Sequence, residues 1–202
     1  MDSIQKLTEL FTRFPGIGPR QARRFVFFLL SSSQSYRAEL VRLISSITTD
    51  TKTCTSCSRF HSNREEACPL CADKNRDHSL LMLVEKDVDL DSIERAKEYP
   101  GYYFVVGGTV PILDKNPHHS IRIKDLERIV VKRAGEGLNE IILAFSVNPE
   151  GENTIQYIQK SLGSLLTKHT IKTSTLGRGL STGSEVEYSD SETIKSALKN
   201  RM

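Results

Sequence analysis

The chain has 202 residues, 38% of them hydrophobic and 26% charged, with a formal net charge of +3. That length suffices for one medium domain, or for two small ones and an added module, and no segment approaches the run of about 20 apolar residues that a membrane helix needs. A net charge so small does not by itself imply nucleic acid, but eight basic and only four acidic residues fall within 1–53, so the whole excess lies in the first quarter of the chain.

The start, Met1 to Leu10, is polar and amphipathic and lacks the apolar core of an export signal, so a cytoplasmic protein is expected. Ile4, Leu7, Leu10 and Phe11 recur at helical spacing and predict a short helix from Ser3 to Arg13. Phe14-Pro15-Gly16-Ile17-Gly18-Pro19 then reads as a tight turn, with Pro19 suited to the first turn of a second helix reaching about Leu30. Ala22, Phe25, Val26 and Leu29 fall on one side of that helix. Arg20, Arg23 and Arg24 fall on the other, at i, i+3 and i+4.

Three cations in a first turn oppose the helix dipole, a cost that an external anion would offset. Gly16 and Gly18 would let a phosphate approach the backbone, and the helix start offers it free N–H groups. The pattern resembles a helix-hairpin-helix, which binds the DNA backbone without reading bases. The plain alternative is a helical hairpin with a solvated basic face. Phe27, set amid the arginines, would stack on a base or be buried in a subunit contact. Residues 35–50 predict a third helix with Tyr36, Leu40, Leu43, Ile44 and Ile47 as its apolar stripe.

Cys54, Cys57, Cys68 and Cys71 stand as two C-x2-C pairs ten residues apart, and the chain has no other cysteine. Two thiolate pairs on tight turns can close a tetrahedron around Zn²⁺ with no open position, the form of a structural site. Disulfides are the alternative, and a reducing cytoplasm disfavours them. His61 could replace one thiolate, but four well-spaced cysteines make that unnecessary and leave it a surface residue. The module is expected to be a small zinc ribbon of turns and short strands.

From residue 79 the pattern changes. Leu80 to Val84, Tyr102 to Val106 and Ile141 to Phe145 are continuous apolar runs, each followed by a segment of helical periodicity. The order β-α-β-α-β-α predicts a parallel sheet with helices on its faces. Ligands of such sheets sit beyond the carboxyl ends of the strands. Glu85 ends the first run, and Glu150 and Glu152 follow the third. Converging carboxylates there would hold Mg²⁺ through oxygen ligands; otherwise Glu150 and Glu152 simply favour a helix N-terminus. Asp87, Asp89, Asp91 and Glu98 imitate a calcium loop, but Ser92 stands where that loop needs glycine and a helical pattern runs through the segment.

Taken together, the parts resemble the bacterial RecR recombination-mediator family, with the α/β unit resembling a Toprim domain. The resemblance rests on Phe14-Pro15-Gly16-Ile17-Gly18-Pro19, Cys68-Pro69-Leu70-Cys71, Val84-Glu85, Gly107-Gly108, Glu150-Gly151-Glu152 and the tail from Gly177 to Tyr188, and it spans essentially the whole chain. It implies a helix-hairpin-helix unit over 1–53, a four-cysteine zinc module over 54–78, a Toprim-like domain over 79–174 and a C-terminal glycine-rich turn and helix for oligomer contact over 175–202. It further implies a DNA-binding, non-catalytic mediator in the cytoplasm, associated with the nucleoid. With RecO, and in some settings RecF, such a mediator helps load RecA onto single-stranded DNA, and it assembles as a dimer or a ring-shaped tetramer.

The family's DNA-contacting positions fall on Arg20 and Arg24, with Arg23 an additional candidate. Its acidic Toprim positions, which also bear on partner binding, fall on Glu85, Glu150 and Glu152. Two departures stand out. DNA-cutting Toprim enzymes carry Asp-x-Asp after the third strand, where this chain has Phe145-Ser146-Val147-Asn148. The family's Asn-Pro-Thr is displaced here, its proline falling at Pro149, and Gly107-Gly108 leads into Thr109-Val110-Pro111-Ile112-Leu113-Asp114. The alternative function is a Mg-dependent Toprim nuclease or primase-like enzyme using Glu85.

Overall fold

The computed structural model describes residues 2–113, 117–177, 179–180, 183, 185–189 and 191–199. Asp114, and Arg178, Ser181, Thr182 and Ser184 of the glycine-rich tail, lie outside the described residues, as does Asn200. The chain divides into two compact units, 1–51 and 52–202.

The first unit is helical. α1 (Ser3–Phe11) starts at Asp2, whose side chain accepts the N–H of Gln5, and ends two residues before the expected Arg13. The chain then turns at Gly16, whose φ of +74° is left-handed and suits a residue without a side chain. Pro19 opens α2 (Pro19–Ser31), and Ser33 caps α3 (Gln34–Asp50) by accepting the N–H of Tyr36. Phe11 meets Phe25 edge-on at 5.9 Å, locking α1 to α2, and Phe28 meets Tyr36 at 5.8 Å across the next turn. Arg37 donates to the carbonyls of Leu29 and Ser32, satisfying the open end of α2. Among the described residues of this unit only Ala22 and Val26 are fully buried, and α3 buries none of its residues.

The second unit begins with a two-stranded antiparallel ribbon, β1 (Lys52–Thr53) and β2 (Phe60–His61), followed by the short α4 (Pro69–Ala72). A four-stranded sheet comes next: β3 (Asp77–Val84), β4 (Gly101–Val105), β5 (Glu140–Ala144) and β6 (Lys172–Thr175), all parallel, in the order β4-β3-β5-β6. The expected three strands are present. β6 was not expected, because its residues are Lys, Thr, Ser and Thr, with none of the apolar signal of a buried strand.

Alternation along β3 explains why its run is apolar throughout. Leu81 and Leu83 enter one core with Phe104, Leu143, Leu126 of α6 (Ile123–Ala134) and Ile158 of α7 (Pro149–His169). Met82 and Val84 enter the opposite core with Tyr103, Val105 and Leu90 of α5 (Asp87–Ala96). Both faces are therefore dry, as a parallel sheet requires. Leu70 of α4 packs against this second core and also against the cysteines, so the ribbon module shares the sheet's interior. α8 (Ser191–Lys199) follows the tail. Among the described residues, no helix is long and apolar enough to cross a membrane.

Candidate functional site

The four cysteines converge. Their sulfurs all lie within 4.8 Å of one another, and Cys54, Cys57 and Cys68 are buried. Cys57 Sγ is 3.6 Å from Cys68 Sγ, close to the edge of about 3.8 Å that a tetrahedron of Zn–S bonds would have and far beyond the roughly 2.0 Å of a disulfide. All four cysteines are free. Local geometry arranges them. Ser58 adopts a left-handed φ of 61° and returns its N–H to the carbonyl of Cys54 at 2.9 Å, while Cys68 caps α4 and brings Cys71 back on its first turn. The N–H of Cys68 donates to Cys54 Sγ at 3.3 Å. These four residues can hold a metal ion such as zinc.

His61, expected at the surface, is buried. Along β2 its neighbour Phe60 points outward, so the strand's alternation turns the imidazole inward. Neither ring nitrogen has a hydrogen-bond partner among the described residues.

The cysteine module is bound to the sheet by two acidic residues of α5. Asp87 accepts the N–H of Phe60 at 2.8 Å and Asp91 pairs with Arg59 at 2.9 Å. These two members of the false calcium loop are anchors on α5, and the segment is helical, as its periodicity required. Arg122, not singled out from the sequence, donates to the carbonyls of Ser58 (2.7 Å) and Val105 (3.2 Å).

The carboxylates at the strand ends occupy the expected places but do not form a cage. Glu85 follows β3 and is buried, with Lys86 Nζ 2.6 Å from its Oε1. Glu150 and Glu152 lie in the first turn of α7, which Asn148 caps by accepting the N–H of Gly151 at 2.7 Å. Val84 pairs with Ala144, so Glu85 and this turn belong to the same end of the sheet. Even so, among the described residues the cysteines are the only group of three or more side chains placed to share a metal.

Glu150 instead accepts from the Thr109 hydroxyl at 3.3 Å. The loop after Gly108 is bonded to α7 at Val110: its N–H donates to Thr154 Oγ1 at 2.8 Å, and Asn153 donates to its carbonyl at 2.9 Å. Gly151 is forced by close approach, since a Cβ there would lie 2.0 Å from the carbonyl oxygen of Ser146.

In the first unit, Arg20, Arg23 and Arg24 are all exposed, opposite the buried Ala22 and Val26, as the periodicity predicted. Among the described residues no carboxylate pairs with any of them. Arg24 reaches Gln21 at 3.5 Å, and the Arg23 guanidinium lies 5.8 Å from the centre of the Phe27 ring. With Thr8, Pro19 and Phe27 the three arginines border an open groove of about 550 Å³. Gly18 is extended, and neither it nor Gly16 has a neighbour where a side chain would stand, so the turn leaves its backbone open.

Comparison with known proteins matches three family models: RecR helix-hairpin-helix over residues 4–48, Toprim domain over 79–176, and RecR C-terminal over 179–202. The curated Recombination protein RecR of Bifidobacterium adolescentis is 35% identical over 201 residues, covering 98% of this chain and 95% of the relative. That of Legionella pneumophila (strain Corby) is 33% identical over 201 residues, covering 100% and 98%.

Proposed function

Because this chain belongs to the RecR family of recombination proteins, we propose that it is a DNA-binding recombination mediator in DNA repair that carries out no chemistry of its own. It grips the phosphate backbone of gapped or single-stranded DNA without reading sequence, and with RecO, and RecF in some settings, helps load recombinase onto the strand in the cytoplasm, at the nucleoid. The observation that carries this reading is the stripe of three exposed arginines without a carboxylate partner among the described residues, beside an open glycine turn. A guanidinium with an internal partner would have little to gain from a phosphate; these three have their charge available.

Two further features support the reading. The four thiols suit Zn²⁺ in a closed, structural site. Leu10, Phe14, Leu30, Val41 and Ile44 of the first unit are each more than half exposed and border an apolar groove of about 700 Å³. A second copy covering that face suits a dimer or a closed ring, since apolar surface of this extent is rarely left to water.

The test is the salt dependence of DNA binding by the whole protein. Each lost phosphate contact lowers the slope of log K against log salt by about 0.9 on duplex. Arg20→Ala combined with Arg24→Ala should weaken binding and flatten that slope by close to two contacts. A double variant whose slope equals that of the parent protein removes the basis of the assignment.

A further inference from the structure

We propose that the arginine groove of the first unit is a nucleotide subsite selective for unpaired DNA, in which Phe27 stacks on a base while Arg20 and Arg24 hold the adjoining phosphates. The inference rests on the phosphate-binding reading above and adds a ligand class to it. A ring is not needed to grip a backbone. Yet Phe27 sits at i+3 from Arg24 and i+7 from Arg20, on the basic stripe rather than on the side carrying Ala22 and Val26, and is 49% exposed. It borders the same groove as the three arginines.

The contacts of the ring do not explain its position. The Arg23 guanidinium lies 5.8 Å from its centre, at the outer limit of a cation–π contact, and leaves half of the side chain open. The other phenylalanines of the hairpin meet other rings: Phe11 contacts Phe14 and Phe25, and Phe28 contacts Tyr36. Arg24 stands less than one helical turn from Phe27, about 4.5 Å along the axis, so one nucleotide can set its phosphate on the guanidinium and its base on the ring. Base pairing in a duplex holds the base in its stack and denies it to the ring, whereas an unpaired base is free to leave its neighbours. Charge complementarity selects a polyanion for the groove; the aromatic floor selects the unpaired form.

The experiment measures the affinity of the whole protein for three probes at one salt concentration: short oligo-dT, an abasic strand of equal length, and a duplex. Phe27→Ala should weaken oligo-dT binding about five- to a hundredfold, the range found for removing one stacked base, and leave the abasic strand and the duplex unchanged. Phe27→Tyr should keep the preference. In the unaltered protein, a strand carrying 5-iododeoxyuridine should photo-crosslink at Phe27, a readout that needs no variant to fold. Equal loss on all three probes, no loss on any, crosslinking elsewhere with binding intact, or a changed solution mass in Phe27→Ala would each overturn the subsite; the last would make Phe27 a subunit contact. Should the arginine variants leave all three affinities unchanged, the phosphate-binding reading itself fails. Should they weaken all three while the Phe27 variants do not discriminate, only the base subsite fails.

Discussion

The backbone N–H of Val105 donates to the carbonyl of Cys57 at 2.8 Å. Val105 ends β4, the edge strand of the sheet, whose outer side has no strand to pair with among the described residues. Unpaired edges are a hazard that proteins cover, and here the cysteine knuckle provides the cover. Stripping the metal with a chelator should therefore do more than unfold 54–72. It should also expose the Val105 amide, since a buried N–H without a partner costs about 1–3 kcal/mol. Hydrogen exchange read at 101–105 checks this: protection should fall on chelation and return with Zn²⁺, and protection that survives metal removal would make the module an appendage.

Arg122 covers the same edge. Its guanidinium donates to Val105 and Ser58 together and lies 6.0 Å from the ring of Phe60. Both bonds leave one nitrogen, Nη1, which stands one bond beyond the reach of a lysine ammonium and is held by a planar group. Arg122→Ala should cost about 2–4 kcal/mol from two hydrogen bonds made by a charged donor, and Arg122→Lys should recover less than half of it. Denaturant unfolding of the three proteins decides; a lysine variant as stable as the parent would show that the longer, planar guanidinium is not needed.

Periodicity and run length are local properties, and they located α1, α2, α3 and the strands β3, β4 and β5. The C-x2-C spacing is local too, and it placed all four thiols. What escaped was pairing across the chain. Asp87 and Asp91 sit on the helix that their periodicity predicts, but their partners, Phe60 and Arg59, lie 27 and 32 residues away and left no local sign. β6 carries no apolar pattern of its own and exists because β5 offers it an edge, with Lys172 paired to Glu140. Glu85 and Glu150 are legible as strand-end acids, but in the folded chain they are taken up by Lys86 and Thr109 rather than turned on a common point.

Two glycines of α7 should respond to alanine with opposite sign. At Gly151 the new methyl would meet the Ser146 carbonyl at 2.0 Å, and backbone cannot step aside as a side chain can. Gly151→Ala should cost about 3 kcal/mol, at the upper end of overpacking penalties, and displace the loop held by Thr154. Gly163, in the same helix, has nothing within 4 Å of that position, so Gly163→Ala should stabilise by about 0.5–1 kcal/mol through helix propensity. Thermal melts of both variants check the pair. A tolerated Gly151→Ala would mean that the turn between β5 and α7 is looser than its contacts imply.

The acidic strand ends separate a mediator from an enzyme. Phosphoryl chemistry on two metals needs several carboxylates sharing them, whereas Glu85 faces Lys86 and Glu150 faces Thr109. The protein incubated with labelled gapped DNA and Mg²⁺ should give neither cleavage nor extension. Glu85→Gln should shift stability by about 1 kcal/mol or less, because its partner Lys86 is largely solvated, with 62% of its side chain exposed. If Glu85 also touches a partner protein, the same variant should weaken RecO binding while DNA affinity holds. A product that forms with the parent chain and disappears in Glu85→Gln would assign Glu85 to catalysis and displace the mediator reading.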